Sequence, residues 1–136
     1  MENCIFCKII KGELPSNKIY EDDEFIAFQS LNQTAKGHSL LVPKEHSTDL
    51  LDMNSELGCK MTAVAQKIAK ATMDGLGATG LNMSFNVRPA AGQVIFHTHM
   101  HIIPRYDNDG LKMWPEENVS EEDRILFASK IIKHLD

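Results

Sequence analysis

Apolar positions recur every three or four residues in some stretches of this chain and every second residue in others. The longest helical period runs over 54–74, where Leu57, Met61, Val64, Ile68 and Ala71 share one face. Gly75 and Gly77 end it. Over 81–87, Leu81, Met83, Phe85 and Val87 alternate with Asn82, Ser84 and Asn86, the period of a half-buried strand. Residues 18–22 and 25–29 predict a hairpin with an acidic tip, and 38–43 a third strand between Gly37 and Pro43. Residues 88–93 are a Gly- and Pro-containing loop, and 95–104 a further strand. At the start, 4–11 turn into a short helix that Gly12 and Pro15 close. At the end, 120–135 form a helix with Ser120 and Asp123 at its cap and Ile125, Leu126, Ile131, Ile132 and Leu135 on its apolar side. Meandering strands flanked by helices predict an α+β domain. We expect one domain over 1–136, a mostly antiparallel sheet of about five strands with a long central helix and a C-terminal helix.

A length of 136 residues suits a single core. The net charge of −5, from 19 acidic and 14 basic residues, argues against nonspecific binding of nucleic-acid backbones, which needs clustered Lys and Arg. No apolar run approaches the roughly 20 residues of a membrane span. The stretch Met1-Glu2-Asn3-Cys4 lacks the basic and apolar regions of a secretion signal. Three cysteines, Cys4, Cys7 and Cys59, are an odd number and argue for a reducing cytoplasm rather than a disulfide framework.

The chemistry concentrates in Phe96-His97-Thr98-His99-Met100-His101-Ile102-Ile103-Pro104. In a strand, His97, His99 and His101 lie side by side on one face, in a cleft, while Phe96, Thr98, Met100 and Ile102 face the core. One such histidine reads as packing; three in register read as a site. A single metal is a poor occupant, since the outer two Cα atoms are about 13 Å apart and zinc holds nitrogen at about 2.1 Å. An elongated phosphate ester fits the row better. A neutral imidazole can attack phosphorus while its neighbour supplies a hydrogen bond or proton. There is no P-loop and no GxGxxG, so phosphate binding would rest on histidines, Asn86 and backbone amides.

The run from His97 to Ile103 matches the His-φ-His-φ-His-φ-φ signature, with Thr98 a mild departure from the usual apolar residue, and the sequence resembles the histidine triad (HIT) superfamily, in particular zinc-containing bacterial-type members near its nucleotide-phosphoramidase (Hint-like) branch. Ile5-Phe6-Cys7-Lys8-Ile9-Ile10, Gly37-His38-Ser39-Leu40-Leu41-Val42-Pro43-Lys44 and Gly92-Gln93 extend the likeness over 4–105, while 106–136 are less diagnostic. The resemblance implies hydrolysis or transfer at the α-phosphorus of a nucleoside phosphate, a purine one foremost. His99 would be the nucleophile and carry a nucleotidyl group, with His97 and His101 completing the catalytic set. His38, Asn86 and Gln93 would serve the phosphate side, Ser30 the ribose, and Phe6, Ile9, Phe28 and Leu31 an apolar slot for the base. It also implies a homodimer whose sheets join.

Two further departures from the family's pattern bear on the chemistry. Ser30 replaces a longer acidic or amide group, and Val94 stands where many relatives carry Ser or Thr near the leaving group. Valine donates no hydrogen bond, which counts against phosphoramidate cleavage unless Ser84 or Arg88 compensates.

Cys4-Ile5-Phe6-Cys7 alone is compatible with a redox pair, an empty thiol pair or half of a zinc site. The resemblance supplies His46 and His97 as the other ligands of a structural Zn²⁺. Cys59 reads as a plain thiol, His134 as a solvated helix-end residue, Glu21-Asp22-Asp23-Glu24 as a solvated hairpin tip and the scattered methionines as core filling. Trp114 is a candidate for closing the site or a dimer. The rival to an enzyme is a zinc-stabilised module that binds a nucleotide or a partner with little turnover.

Overall fold

Asn54 starts the long helix, its side-chain oxygen accepting from the Glu56 and Leu57 N–H groups at 2.9 and 3.2 Å. Gly77 ends it at φ +69, donating its N–H to the Met73 carbonyl; Gly75 lies inside the helix. The structure, a computed structural model, describes residues 2–135. The elements run α1 (Ile5–Ile10), β1 (Lys18–Glu21), β2 (Phe25–Gln29), β3 (Ser39–Pro43), α2 (Ser55–Leu76), β4 (Gly80–Ser84), a 3₁₀ turn (Pro89–Ala91), β5 (Met100–Arg105) and α3 (Glu121–Ile132). The five strands form one antiparallel sheet in the order β1-β2-β3-β5-β4. The fold is α+β, as expected.

Both faces of the sheet are covered at its centre. On one, Leu57, Met61, Ala65 and Ile68 of α2 pack on Phe25, Ala27, Leu41 and Ile102. On the other, Phe6 of α1 packs on Ile26, Phe28, Leu40 and Val42. Hence β2 and β3 are apolar without alternation, as strands covered on both sides must be. Phe28 pairs with Leu40, and Leu40 with His101, which also pairs with Ser84. These four side chains form a row across the α1 face.

Three expectations need correction. Residues 95–104 are not one strand, because β5 begins at Met100, so only His101 of the three histidines is on it. The β3–β5 ladder stops at Leu41–Met100. Two steps further it would meet Pro43, which has no N–H to give and whose carbonyl is taken by the His97 ring at 2.7 Å. Thr98 N–H turns instead to the Ser47 carbonyl. Phe96 consequently leaves the core and is 49% exposed, whereas Thr98, bonded to Ser47, is buried. Residues 85–87 lie outside β4, which ends at Ser84. Finally, α3 forms with its Ser120 cap in place, yet none of its residues is buried and its apolar side faces outward.

The acidic tip is more than solvated. Asp22 accepts the Glu24 and Phe25 N–H groups and the Tyr20 hydroxyl, while Glu21 pairs with Lys18 and Lys44, and Glu24 with Lys60. Cys59, His134 and Trp114 are exposed, so Trp114 closes nothing within one chain. Among the described residues, no helix is long and apolar enough to cross a membrane.

Candidate active site and metal site

Cys4 caps α1 with its sulfur, which accepts the Cys7 N–H at 3.4 Å, so one helix turn turns both thiols the same way. Facing them are His46, just past β3, and His97, just before β5. His97 Nδ1 lies 3.3 Å from Cys4 Sγ and 3.6 Å from Cys7 Sγ; His46 Nδ1 lies 3.4 Å from Cys7 Sγ and 3.1 Å from His97 Nδ1. Zinc ligands at 2.0–2.3 Å in a tetrahedron sit roughly 3.3–3.8 Å apart; the three sulfur–nitrogen separations fall in that range and the His46–His97 separation of 3.1 Å just below it, so a small adjustment would seat the ion. The chemistry fits too. His97 Nε2 must be the protonated nitrogen, because its partner, the Pro43 carbonyl, only accepts. That leaves a bare Nδ1 lone pair aimed at the sulfurs and at His46, where a cation belongs.

The same reasoning fixes the next ring. His99 Nδ1 is 2.7 Å from the His97 carbonyl, so Nδ1 carries the proton and Nε2 is bare. No buried side-chain nitrogen lacks a partner among the described residues, and Nε2 has no protein partner, so it opens into the cleft. His99 itself is buried, with the Phe6 ring edge-on at 5.2 Å and His101 at 5.0 Å.

A third chain of bonds orders His101. The Thr34 N–H donates to His38 Nδ1 at 3.1 Å, and His38 Nε2 meets His101 Nδ1 at 3.0 Å. With its Nδ1 accepting, neutral His38 is protonated on Nε2 and donates to His101, which then holds its own proton on Nε2. The cleft therefore presents a bare nitrogen on His99 beside an N–H on His101.

Phe6, Ile9, Phe28, Leu31 and Ser30, singled out from the sequence, line one cavity of about 360 Å³ next to His99. Leu31 is 92% exposed at its rim, and the Ser30 hydroxyl bonds the Asn32 carbonyl. Asn86 approaches Gly92, whose φ of +91 requires glycine. Gln93, a candidate for the phosphate side, turns its side chain into the loop. Its amide donates to the Thr48 and Ile95 carbonyls and accepts from Arg88 N–H, so it braces the loop from inside. Val94 is 78% exposed on that loop. Arg88, at φ +74, pairs with the buried Asp49.

Burial favours the neutral forms of His38, His99 and His101. It pulls His101 down to about 4, with the neighbouring His99 and His38 rings adding to the shift. It lowers His38 and His99 as well. The unfolded chain therefore takes up protons near pH 6.5 that the folded chain refuses until lower pH. This part of the stability is present above about pH 6.5 and is lost as pH falls towards 4. The urea midpoint should drop steadily between those limits; a flat profile from pH 6.5 to 5 would show that these rings are protonated without strain.

Residues 11–108 match the family model described as the HIT domain. The chain belongs to the HIT family. The Bacillus subtilis "Protein hit" is 43% identical to this HIT protein over 138 aligned positions, covering 98% of this chain and 95% of the relative. The crystal structure of SMU.412c from Streptococcus mutans superposes with a TM-score of 0.93 at 36% identity, covering 100% of this chain and 87% of that one. A Zn-bound histidine triad protein from Mycobacterium smegmatis superposes at 0.78 and 36% identity, covering 98% and 99%.

Two functional features of the HIT protein escaped the sequence. The Pro43 carbonyl, which sets the His97 tautomer, carries no side-chain signal. Gln33, which braces the His38 loop, stands in an unremarkable polar run, Asn32-Gln33-Thr34.

Proposed function

We propose that this protein is a nucleotide hydrolase or transferase acting at the α-phosphorus of a nucleoside 5′-phosphate derivative, either a phosphoramidate or a dinucleoside polyphosphate. The observation that carries the reading is the His99 Nδ1 bond to the His97 carbonyl, which leaves Nε2 bare beside an apolar cavity. The base, a purine foremost, enters among Phe6, Ile9, Phe28 and Leu31, with Ser30 near the ribose. The α-phosphorus then lies over His99. Its Nε2 attacks, forming a P–N bond as the bond to the leaving group breaks on the far side. His101 Nε2–H and Asn86 hold the phosphoryl oxygens, and His38 holds His101. Water attacks the nucleotidyl-His99, breaks the P–N bond and releases the nucleoside monophosphate. His97 acts through its carbonyl and Gln93 through the loop.

Cys4, Cys7, His46 and His97 would hold a Zn²⁺. A closed set of four protein ligands leaves zinc a structural task, tying α1 to the sheet. The reading places the protein in a reducing compartment such as the cytoplasm, where both cysteines stay available as ligands. It also carries a homodimer, for β4 is an open sheet edge and the apolar side of α3 needs a cover. One domain would span 1–136.

The test is AMP release from adenosine 5′-phosphoramidate and from diadenosine tetraphosphate. Release from either supports an enzyme, and slow phosphoramidate cleavage would reflect the missing donor at Val94. Binding of AMP with release from neither substrate moves the reading to a nucleotide-binding module.

A further inference from the structure

The loop over 30–38 carries His38 into the cleft, and one exposed side chain organises it. Gln33 Oε1 accepts the Gly37 and His38 N–H groups at 2.7 and 3.1 Å. Gln33 Nε2 donates to the Ser30 and His38 carbonyls at 2.6 and 2.8 Å. Two amide donors on one side and two carbonyl acceptors on the other leave no freedom in which end of the amide is which. A single amide thus clamps both backbone groups of His38 and closes the loop on Ser30.

The far end of the loop is fixed by close packing. Gly37 has φ +95, and a Cβ there would come within 2.2 Å of a Leu76 methyl and 3.2 Å of Pro104. The loop backbone is therefore held between a core contact at Gly37 and the Gln33 amide. That hold matters because the next residue, Thr34, gives its N–H to His38 Nδ1. If Thr34 N–H moves away, His38 is free to carry its proton on Nδ1. Its Nε2 then becomes an acceptor, and His101 must turn its proton inward to Nδ1 to keep the bond. The N–H that faced the cleft becomes a lone pair, which repels a phosphoryl oxygen instead of binding it.

We propose that Gln33 is a positioning residue: by clamping the 30–38 loop it keeps Thr34 N–H on His38 and so fixes His101 as an Nε2–H donor toward the phosphate. For its effect on turnover the proposal rests on the reaction given above, but its effect on the rings does not. The relay runs from Gln33 through Thr34 and His38 to His101, and none of the first three needs to touch the reacting atoms.

The experiment is long-range ¹H–¹⁵N spectroscopy of the histidine rings, without ligand, in the native protein and in Gln33→Ala. The native protein should show His38 and His101 as Nε2–H tautomers. In Gln33→Ala, His101 should become a mixture of tautomers while His99 stays Nδ1–H. Gln33 is exposed and outside both core clusters, so the variant should fold. Gln33→Met, which keeps the length but not the polar atoms, should give the same spectra and guards against a merely shortened side chain. With substrate, kcat should fall about tenfold or more and KM change little. An unchanged His101 tautomer in both variants, or an Nδ1–H His101 in the native protein, overturns the proposal. If the tautomer shifts but the native protein turns nothing over, the clamp stands and the catalytic reading fails.

Discussion

His99→Ala should lose at least about 10⁴-fold in nucleoside monophosphate release while still binding AMP. The size follows from the role. In the proposed reaction every other group at the site positions or binds, whereas His99 would supply the atom that bonds to phosphorus. Its neighbours cannot substitute. The His97 Nδ1 points to the cysteines and its Nε2 is spent on Pro43, and His101 presents an N–H rather than a lone pair. Binding should survive because the cavity lined by Phe6, Ile9, Phe28 and Leu31 does not use the imidazole. The variant should also bind the proposed zinc as the native protein does, since His97 reaches the cysteines without help from His99. Parallel measurements of AMP release, AMP affinity by calorimetry and metal content check all three. A variant that kept a tenth of native turnover would remove His99 from the role.

With the proposed Zn²⁺ in the Cys4, Cys7, His46 and His97 cluster, His46→Ala should weaken zinc binding sharply and lower the thermal midpoint by roughly 10 °C or more. His46 would supply one of four donors, and with three left a water must take the fourth position, which holds zinc more weakly and no longer ties the end of β3 to α1. The loss spreads because the cluster joins three parts of the chain: α1 through Cys4 and Cys7, the end of β3 through His46, and the approach to β5 through His97. Phe6, which packs between Phe28 and His99, sits on the same short helix. Loosening α1 should therefore open the cavity lined by Phe6 and Phe28 as well as the Cys/His cluster. One bound zinc per native chain, sharply weaker binding by His46→Ala and a matching fall in midpoint after chelation of the native protein are expected. Full zinc binding by the variant, or zinc loss with no change in midpoint, contradicts the structural role.

Much of this was legible in the sequence where local pattern and tertiary packing agree. The 3.6-residue period of Leu57, Met61 and Ile68 needed only a face to cover, and β3 is bracketed by Gly37 and Pro43. The histidine motif needed only its spacing, and Phe6, Ile9, Phe28 and Leu31, picked out by the family resemblance, do line one cavity. What stayed hidden depends on partners far away in the chain. Alternation puts Phe96 in the core only if the ladder reaches it, and Pro43, more than fifty residues earlier, prevents that. The clamp by Gln33 depends on the loop closing back on Ser30 and His38, which no period announces. Likewise nothing in the spacing of Gln93 shows that its amide meets the Thr48 and Ile95 carbonyls and the Arg88 N–H. The outward apolar side of α3 shows the opposite case, an amphipathic pattern that one chain does not bury.

The most direct measurement traps the intermediate. Native protein mixed with adenosine 5′-phosphoramidate or diadenosine tetraphosphate, quenched in alkali to protect the acid-labile P–N bond, is digested and mapped by mass spectrometry. The account predicts an adenylyl group on His99, formed at the rate of turnover and absent from His99→Ala. Turnover with no adduct on His99, or an adduct on His101, would contradict it.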